Sequence, residues 1–191
     1  MRRSSIKRET RETRIELELC LDGGDIRVST GIGFFDHMLA SLAFHAGFGL
    51  AVKAEGDLNV DCHHTAEDVG IVLGQAFREA LGEKAGIRRF ADVHVPMDES
   101  LAFVAVDISG RPFIVFDAQF PQERIGSYES CVTEEFFRAF AVNAGITLHI
   151  RSVYGSNAHH MTEAIFKAVA RALRIAVAVE GGVTPSVKGV L

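Results

Sequence analysis

Stretches in which every second residue is apolar are interleaved, along this chain, with stretches in which apolar residues recur every three or four. Ile15-Glu16-Leu17-Glu18-Leu19-Cys20-Leu21 alternates as a half-buried strand does. Asp22-Gly23-Gly24-Asp25 has turn chemistry, so Ile26-Arg27-Val28-Ser29-Thr30 is predicted to return beside the first strand as a hairpin. Spacing then predicts a helix over 34–45, a strand over 50–57, and a helix over 63–81 that Gly82 stops. The second half follows the same course. Residues 100–107 and 112–120 are strand-like and joined by Ile108-Ser109-Gly110-Arg111; a helix over 133–143, a strand over 146–151 and a helix over 159–179 follow.

Landmarks fall in register between the halves. Ala43-Phe44-His45-Ala46-Gly47 matches Ala141-Val142-Asn143-Ala144-Gly145, which sets His37 opposite Glu135 and His45 opposite Asn143. This is the pattern of an internal duplication, with halves of about 1–90 and 91–191. No linker rich in Pro, Gly or Ser divides them, so a single domain over 1–191 is expected. The fold class predicted is α+β, internally duplicated half-domains with two β-sheets and helices packed between them.

The chemistry is concentrated in a doubled motif. Asp61-Cys62-His63-His64-Thr65-Ala66-Glu67-Asp68 and Asn157-Ala158-His159-His160-Met161-Thr162-Glu163-Ala164 both read His-His-x-x-Glu at the head of a predicted helix. Residues four apart share a helix face, so each Glu lies beside its pair. Adjacent helical residues diverge by about 100°, so the two imidazoles of a pair suit two ions better than one. Imidazole with carboxylate fits a first-row divalent metal. A packing role for four histidines does not account for both copies keeping the same triplet. His-Glu-x-x-His, the zinc-protease spacing, is absent.

Composition narrows the classes. With 191 residues, 48% hydrophobic and 24% charged, the chain can bury a sizeable core. A net charge of -5 gives no electrostatic case for nucleic acid. No apolar run reaches the roughly 20 residues that span a bilayer, and Met1-Arg2-Arg3-Ser4-Ser5 is not followed by a secretory apolar segment. No membrane partner is expected. Three scattered cysteines, Cys20, Cys62 and Cys131, fit a reducing cytoplasm, with Cys62 read as a small buried thiol rather than a ligand.

Around the motif stand weaker candidates. His37 and His45, eight residues apart, share one face of a predicted helix; His37 is read as a ligand and His45 as open to substrate. His94 and His149 are read as structural. Arg89, Arg111 in Ser109-Gly110-Arg111-Pro112, and Ser186 and Lys188 at the end offer guanidinium forks, hydroxyl and ammonium, the usual means of holding phosphate. Asp98 and Glu99 can do acid–base work or orient the histidines.

Gly33-Phe34-Phe35-Asp36-His37-Met38-Leu39, both His-His motifs, Pro96-Met97-Asp98-Glu99, Ser109-Gly110-Arg111-Pro112 and Ser186-Val187-Lys188-Gly189-Val190-Leu191 resemble the imidazoleglycerol-phosphate dehydratases, in order and over essentially the whole chain. The resemblance implies a ribosomal protein S5 domain 2-like fold, a cytoplasmic enzyme of histidine biosynthesis, two Mn²⁺ per active site and a homo-24-mer with sites at subunit interfaces. It implies dehydration of imidazoleglycerol phosphate to imidazole-acetol phosphate. Metal ligation is implied for His37, His63, His64, Glu67, His159, His160 and Glu163. Substrate contact is implied for Glu12, the segment from His37 to His45, His63, Glu67, Arg89, Arg111, Ser186 and Lys188. Glu12, Glu67 and Glu163 are candidate catalytic bases for the glycerol C2 proton. Two positions depart from the family pattern: Glu135 stands where many relatives have a metal-binding His and is kept as a candidate ligand, and Val187 stands where relatives often have Ser. A binuclear metal hydrolase of a phosphate ester and a non-enzymatic metal-binding scaffold are the rival readings.

Overall fold

The computed structural model describes residues 1–187 and 189. Its first half comprises β1 (Arg3–Glu9), β2 (Thr13–Cys20), β3 (Ile26–Ser29), α1 (Gly33–Ala46), β4 (Gly49–Gly56) and α2 (His63–Leu81). The second comprises β5 (Phe90–Met97), β6 (Ser100–Asp107), β7 (Phe113–Asp117), the short pair β8 (Arg124–Ile125) and β9 (Tyr128–Glu129), α3 (Val132–Ala144), β10 (Thr147–Tyr154) and α4 (Ala158–Ala176). Two four-stranded sheets result, ordered β1-β2-β4-β3 and β5-β6-β10-β7. Apart from β8 and β9, the two halves have the same element order and the same strand order. The architecture is α+β.

Pairing corrects the predicted hairpin. β2 and β3 are not neighbours; β4 lies between them, antiparallel to β2 and parallel to β3. Gly23 and Gly24 lead the chain across the end of β4 instead of folding it back, and an added Cβ on Gly49 would lie 2.9 Å from Gly23 O. The true hairpin joins β2 to β1, a strand absent from the prediction because Ile6 is the one large aliphatic side chain in Arg-Ser-Ser-Ile-Lys-Arg-Glu. β5 was missed likewise: Ala91, Val93, Val95 and Met97 alternate with Asp92 and His94, but the pattern is blurred by Pro96 and by the apolar Phe90 on the outer face. β7 ends at Asp117, where its pairing with β10 stops, and α4 ends at Ala176 so that Val179 can bridge to Ile87.

Each sheet buries one face. In β2 the core takes Ile15, Leu17 and Leu19, and in β6 it takes Ala102, Val104 and Val106, while the residues between them face outward. α1 and α2 cover the first sheet and α3 and α4 the second; α1 then packs on α4 and α2 on α3. One apolar core thus runs through the helical layer, with Phe35, Phe77, Phe136, Phe137 and Phe166 fully enclosed. α2 approaches α3 closely because it presents Gly70 and Gly74; a Cβ on either would lie 2.6 Å from a carbonyl oxygen of α3. α1 and α3 both stop at a left-handed glycine, Gly47 at φ 73° and Gly145 at φ 69°, the matched landmarks in the sequence. Among the described residues no helix is long and apolar enough to cross a membrane.

Candidate metal centre

Cross-packing of the halves assembles the site. α1 brings His37 from the first half against His159 and Glu163 on α4 from the second, and one ligand atom from each lies within 4.8 Å of the others. His159 Nε2 is 3.3 Å and His37 Nε2 3.8 Å from Glu163 Oε2. The geometry is set locally. Asp36 accepts from the Thr30 N–H at 2.8 Å and from its hydroxyl at 2.6 Å, fixing the first turn of α1. Asn157 caps α4 by accepting from the His159 N–H at 2.9 Å, and Asp61, one residue before the N-cap of α2, accepts from the His63 N–H at 2.8 Å. Phe34 packs edge-on against His159, with ring centroids 4.8 Å apart.

Glu163 is buried, which would raise its pKa. The Lys167 hydrogen bond and charge, with His37 and His159, more than offset this and hold the carboxyl below its ordinary value. Lys167 Nζ donates to Oε1 at 2.7 Å, so Oε2 is the oxygen presented to the two imidazoles. Lys167 was not singled out from sequence, although it stands one helical turn beyond Glu163.

The adjacent histidines diverge as expected, with rings nearly perpendicular at 82° in the first pair and 78° in the second. His63 stays with Glu67, Nε2 to Oε2 3.6 Å. His64 turns to Asp57, whose carboxylate lies 3.0 Å from Nδ1, with Glu12 in the β1–β2 turn 3.9 Å away. His160 Nδ1 lies 2.7 Å from Glu99. The same Glu99 accepts from the Ser156 and Asn157 N–H groups that lead into α4. These bonds raise the pKa of both imidazoles and pull Glu99 down to about 2. With Nδ1 held by a carboxylate, each ring keeps Nε2 for a ligand. Asp57 escaped the sequence reading; its one signal was its place just after a strand and before the motif.

The remaining candidates lie in three places. His45 sits half-buried in the last turn of α1, its pKa lowered by burial and by Lys167 and Arg171. Glu135, in the first turn of α3, lies 3.5 Å from Arg138, and the trio of Glu135, His63 and Glu67 is not gathered as His37, His159 and Glu163 are, among the described residues. Arg89 and Arg111 both meet Asp107, and Arg89 also reaches the carbonyl of Pro185, beside Ser186. Lys188 lies outside the described residues. Cys62 is a buried thiol that accepts from the Glu129 N–H, and burial raises its pKa. His94 lies on an outer sheet face against Phe103, and His149 is exposed on β10.

Two imidazoles and a carboxylate within 4.8 Å make a donor set that fits one divalent first-row ion. Comparison with known proteins gives the chain a family. The family described as imidazoleglycerol-phosphate dehydratase matches residues 30–173. Proteins of that name from Azorhizobium caulinodans and Xanthobacter autotrophicus are 58% and 57% identical, each covering 100% of this chain and 99% of its own. The crystal structure of the Staphylococcus aureus imidazoleglycerol-phosphate dehydratase superposes with a TM-score of 0.86 at 40% identity, over 93% of this chain and 99% of that one. That of the Pyrococcus furiosus enzyme gives 0.85 at 38%, over 97% and 100%. The chain belongs to the imidazoleglycerol-phosphate dehydratase family, a family of hydro-lyases.

Proposed function

We propose that this chain dehydrates imidazoleglycerol phosphate to imidazole-acetol phosphate, for histidine biosynthesis in the cytoplasm, with two Mn²⁺ ions in each active site. The observation that carries the metal-dependent reading is the trio His37, His159 and Glu163, contributed by both halves. Its ligands are His37, His159 and Glu163 for one ion, and His63, Glu67 and Glu135 for the matching position made by α2 and α3. Each bound ion supplies Lewis acidity toward the imidazole ring of the substrate.

The protein's own groups supply the rest. Water loss needs a base at glycerol C2 and departure of the hydroxyl beside the ring. Glu12, Glu67 and Glu163 are the carboxylates assigned to the C2 proton; Glu12 is exposed and mounted on a turn that ends beside His64. His37 to His45 forms the α1 wall of the substrate site. Arg89, Arg111, Ser186 and Lys188 hold the phosphate end. Asp57 and Glu99 orient His64 and His160 through Nδ1.

His64 and His160 stand outside the trio in their own chain. We assign their Nε2 atoms to sites completed by a neighbouring copy, in a homo-24-mer, so that metal and assembly are linked. The three cysteines are free, in keeping with a reducing compartment. The halves 1–90 and 91–191 act as one domain, because the site draws on both.

Incubation of the folded, Mn²⁺-loaded protein with imidazoleglycerol phosphate should yield the ketone, measured directly. Absence of product would overturn the assignment. Sizing with and without chelator tests the link to assembly: a particle of unchanged size after loss of its metal would break it.

A further inference from the structure

The two halves differ in how they hold the turn between their first two strands. Leu19 of β2 pairs with Leu50 of β4, and Val106 of β6 pairs with Leu148 of β10. Leu50 and Leu148 stand equally far past the matched glycines Gly47 and Gly145, so this register places Glu12 opposite Glu99 and Thr13 opposite Ser100. Glu99 is fully committed. Its Oε1 accepts from the Ser100 hydroxyl at 3.0 Å and from the Ser156 and Asn157 N–H groups at 3.1 and 2.9 Å, and its Oε2 meets His160 Nδ1 at 2.7 Å. Glu12 is not. Among the described residues its carboxylate meets only His64, at 3.9 Å, and its side chain is 54% exposed.

Two other carboxylates of the first half do what Glu99 does in the second. Asp57, where the second half has Gly155, takes Nδ1 of His64 at 3.0 Å. Asp68, where the second half has Ala164, takes the turn. It is buried on α2 one residue beyond Glu67, and its Oδ2 accepts from the Thr13 hydroxyl and pairs with Arg8 Nη1 at 2.5 Å. A buried carboxylate on a helix face is unfavourable unless it is paired, so packing alone does not account for it. Arg8 on β1 and Thr13 on β2 flank the turn. Within the turn, Thr10 Oγ1 accepts from the Glu12 and Thr13 N–H groups at 3.1 and 3.0 Å, and the Asp57 N–H donates to the Glu12 carbonyl at 3.1 Å. A turn braced internally and gripped at both flanks moves with the helix that grips it.

We infer that Asp68 is a positioning residue that ties the β1–β2 turn to α2, and so fixes the Glu12 carboxylate beside His64 for its part in moving the C2 proton. This rests on the reading of Glu12 as a carboxylate of the reaction. In the competing arrangement Asp68 acts through its neighbour Glu67, on the metal. The two separate cleanly. Acting through Glu12, Asp68 matters only while Glu12 is present and leaves Mn²⁺ affinity alone; acting through Glu67, its removal weakens Mn²⁺ whether or not Glu12 is there.

Asp68→Ala, Glu12→Gln and the double variant are compared with wild type as full-length, Mn²⁺-loaded protein. Asp68→Ala should lower kcat about a hundredfold, as a misplacement of about 1 Å does, with KM changed less than about threefold. In the Glu12→Gln background it should cost less than about threefold more. Hydrogen exchange of residues 9–13 should speed up, while Mn²⁺ affinity matches wild type. Thr13→Val removes one bond, leaves Asp68 paired with Arg8, and should show the same pattern with a smaller loss; it judges the inference if Asp68→Ala does not fold. Equal losses with and without Glu12, weakened Mn²⁺ binding, or unchanged exchange would overturn the inference. If Glu12→Gln turned over like wild type, the reading of Glu12 would fall and the inference with it. An impaired Glu12→Gln beside an unimpaired Asp68→Ala would sink the anchor alone.

Discussion

Replacing Lys167 by Met removes an ammonium and keeps most of an aliphatic stem, which isolates the charge opposite Glu163. The two side chains are 20% and 9% exposed and 2.7 Å apart, so solvent screens the pair weakly. A carboxylate left without its cation can always take up a proton, which limits the cost. Moving Glu163 from its ordinary 4.5 up to pH 7 corresponds to about 2.5 pH units, or about 3.4 kcal/mol at 1.36 per unit. The metal-free variant should therefore lose about 2–3 kcal/mol at pH 7 by urea unfolding at fixed protein concentration. At pH 5 an uncompensated Glu163 takes up its proton at less cost, so the loss should be smaller than at pH 7. The sign follows from wild type, where the lowered folded pKa contributes stability above 4.5 that is lost as pH falls through the folded value. Mn²⁺ restores a cation to the carboxylate, so the loaded variant should lie closer to loaded wild type than the metal-free pair lie to each other. A loss that is independent of pH, or equal with and without Mn²⁺, would refute this account of Lys167.

Three further outcomes follow from the packing and the charges. Gly74→Ala gains about 1 kcal/mol of helix propensity. Its Cβ, however, would meet Phe140 O at 2.6 Å, Asn143 Cβ at 2.8 Å and Ala144 N at 2.9 Å, so overpacking of about 3 kcal/mol wins, and calorimetry should show Tm lower by about 4–8 °C. In metal-free protein, an NMR titration should place His160 above 6.5, and Glu99→Gln should bring it down toward 6.5. Glu99 contributes above 4.5 and loses this as pH falls through about 2, whereas His160 contributes below 6.5 and loses it as pH rises through its raised folded value. The destabilisation by Glu99→Gln should therefore peak between pH 4.5 and 6.5, and a flat profile would deny the pair. Glu135→His should raise Co²⁺ affinity, read from the visible spectrum, relative to Mn²⁺; unchanged selectivity would remove Glu135 from the ligand set.

Much of this was legible because it repeats. His63-His64-x-x-Glu67 and His159-His160-x-x-Glu163 stand at helix heads where Asp61 and Asn157 each accept from the first His N–H, and periodicity of 3.6 is enough to show which members share a face. What escaped depends on contacts between segments distant in sequence. Asp57 reaches His64 across a turn, and Asp107 reaches Arg89 from 18 residues away; local spacing carries neither. The hairpin was misassigned for the same reason, since β4, which inserts between β2 and β3, enters the chain only after α1.

The duplication also explains where the two halves need not agree. α1 packs on α4 and α2 on α3, so on the proposed assignment each metal position would draw its lone ligand from one half and its Glu and His from the other. A change in the lone ligand alters one position and leaves the other intact. In the α1–α4 position that ligand is His37, and Lys167 pins the carboxylate. In the proposed α2–α3 position it would be Glu135, Ile71 stands where Lys167 would repeat, and Arg138 is the nearby cation. One position thus offers two imidazoles and one carboxylate, and the other, on that assignment, would offer one imidazole and two carboxylates. Harder ions favour the second set and borderline ions the first. Two internally related positions in this chain are therefore expected to fill at different metal concentrations, and a metal titration with a single step for both would contradict the inequivalence that Glu135 introduces.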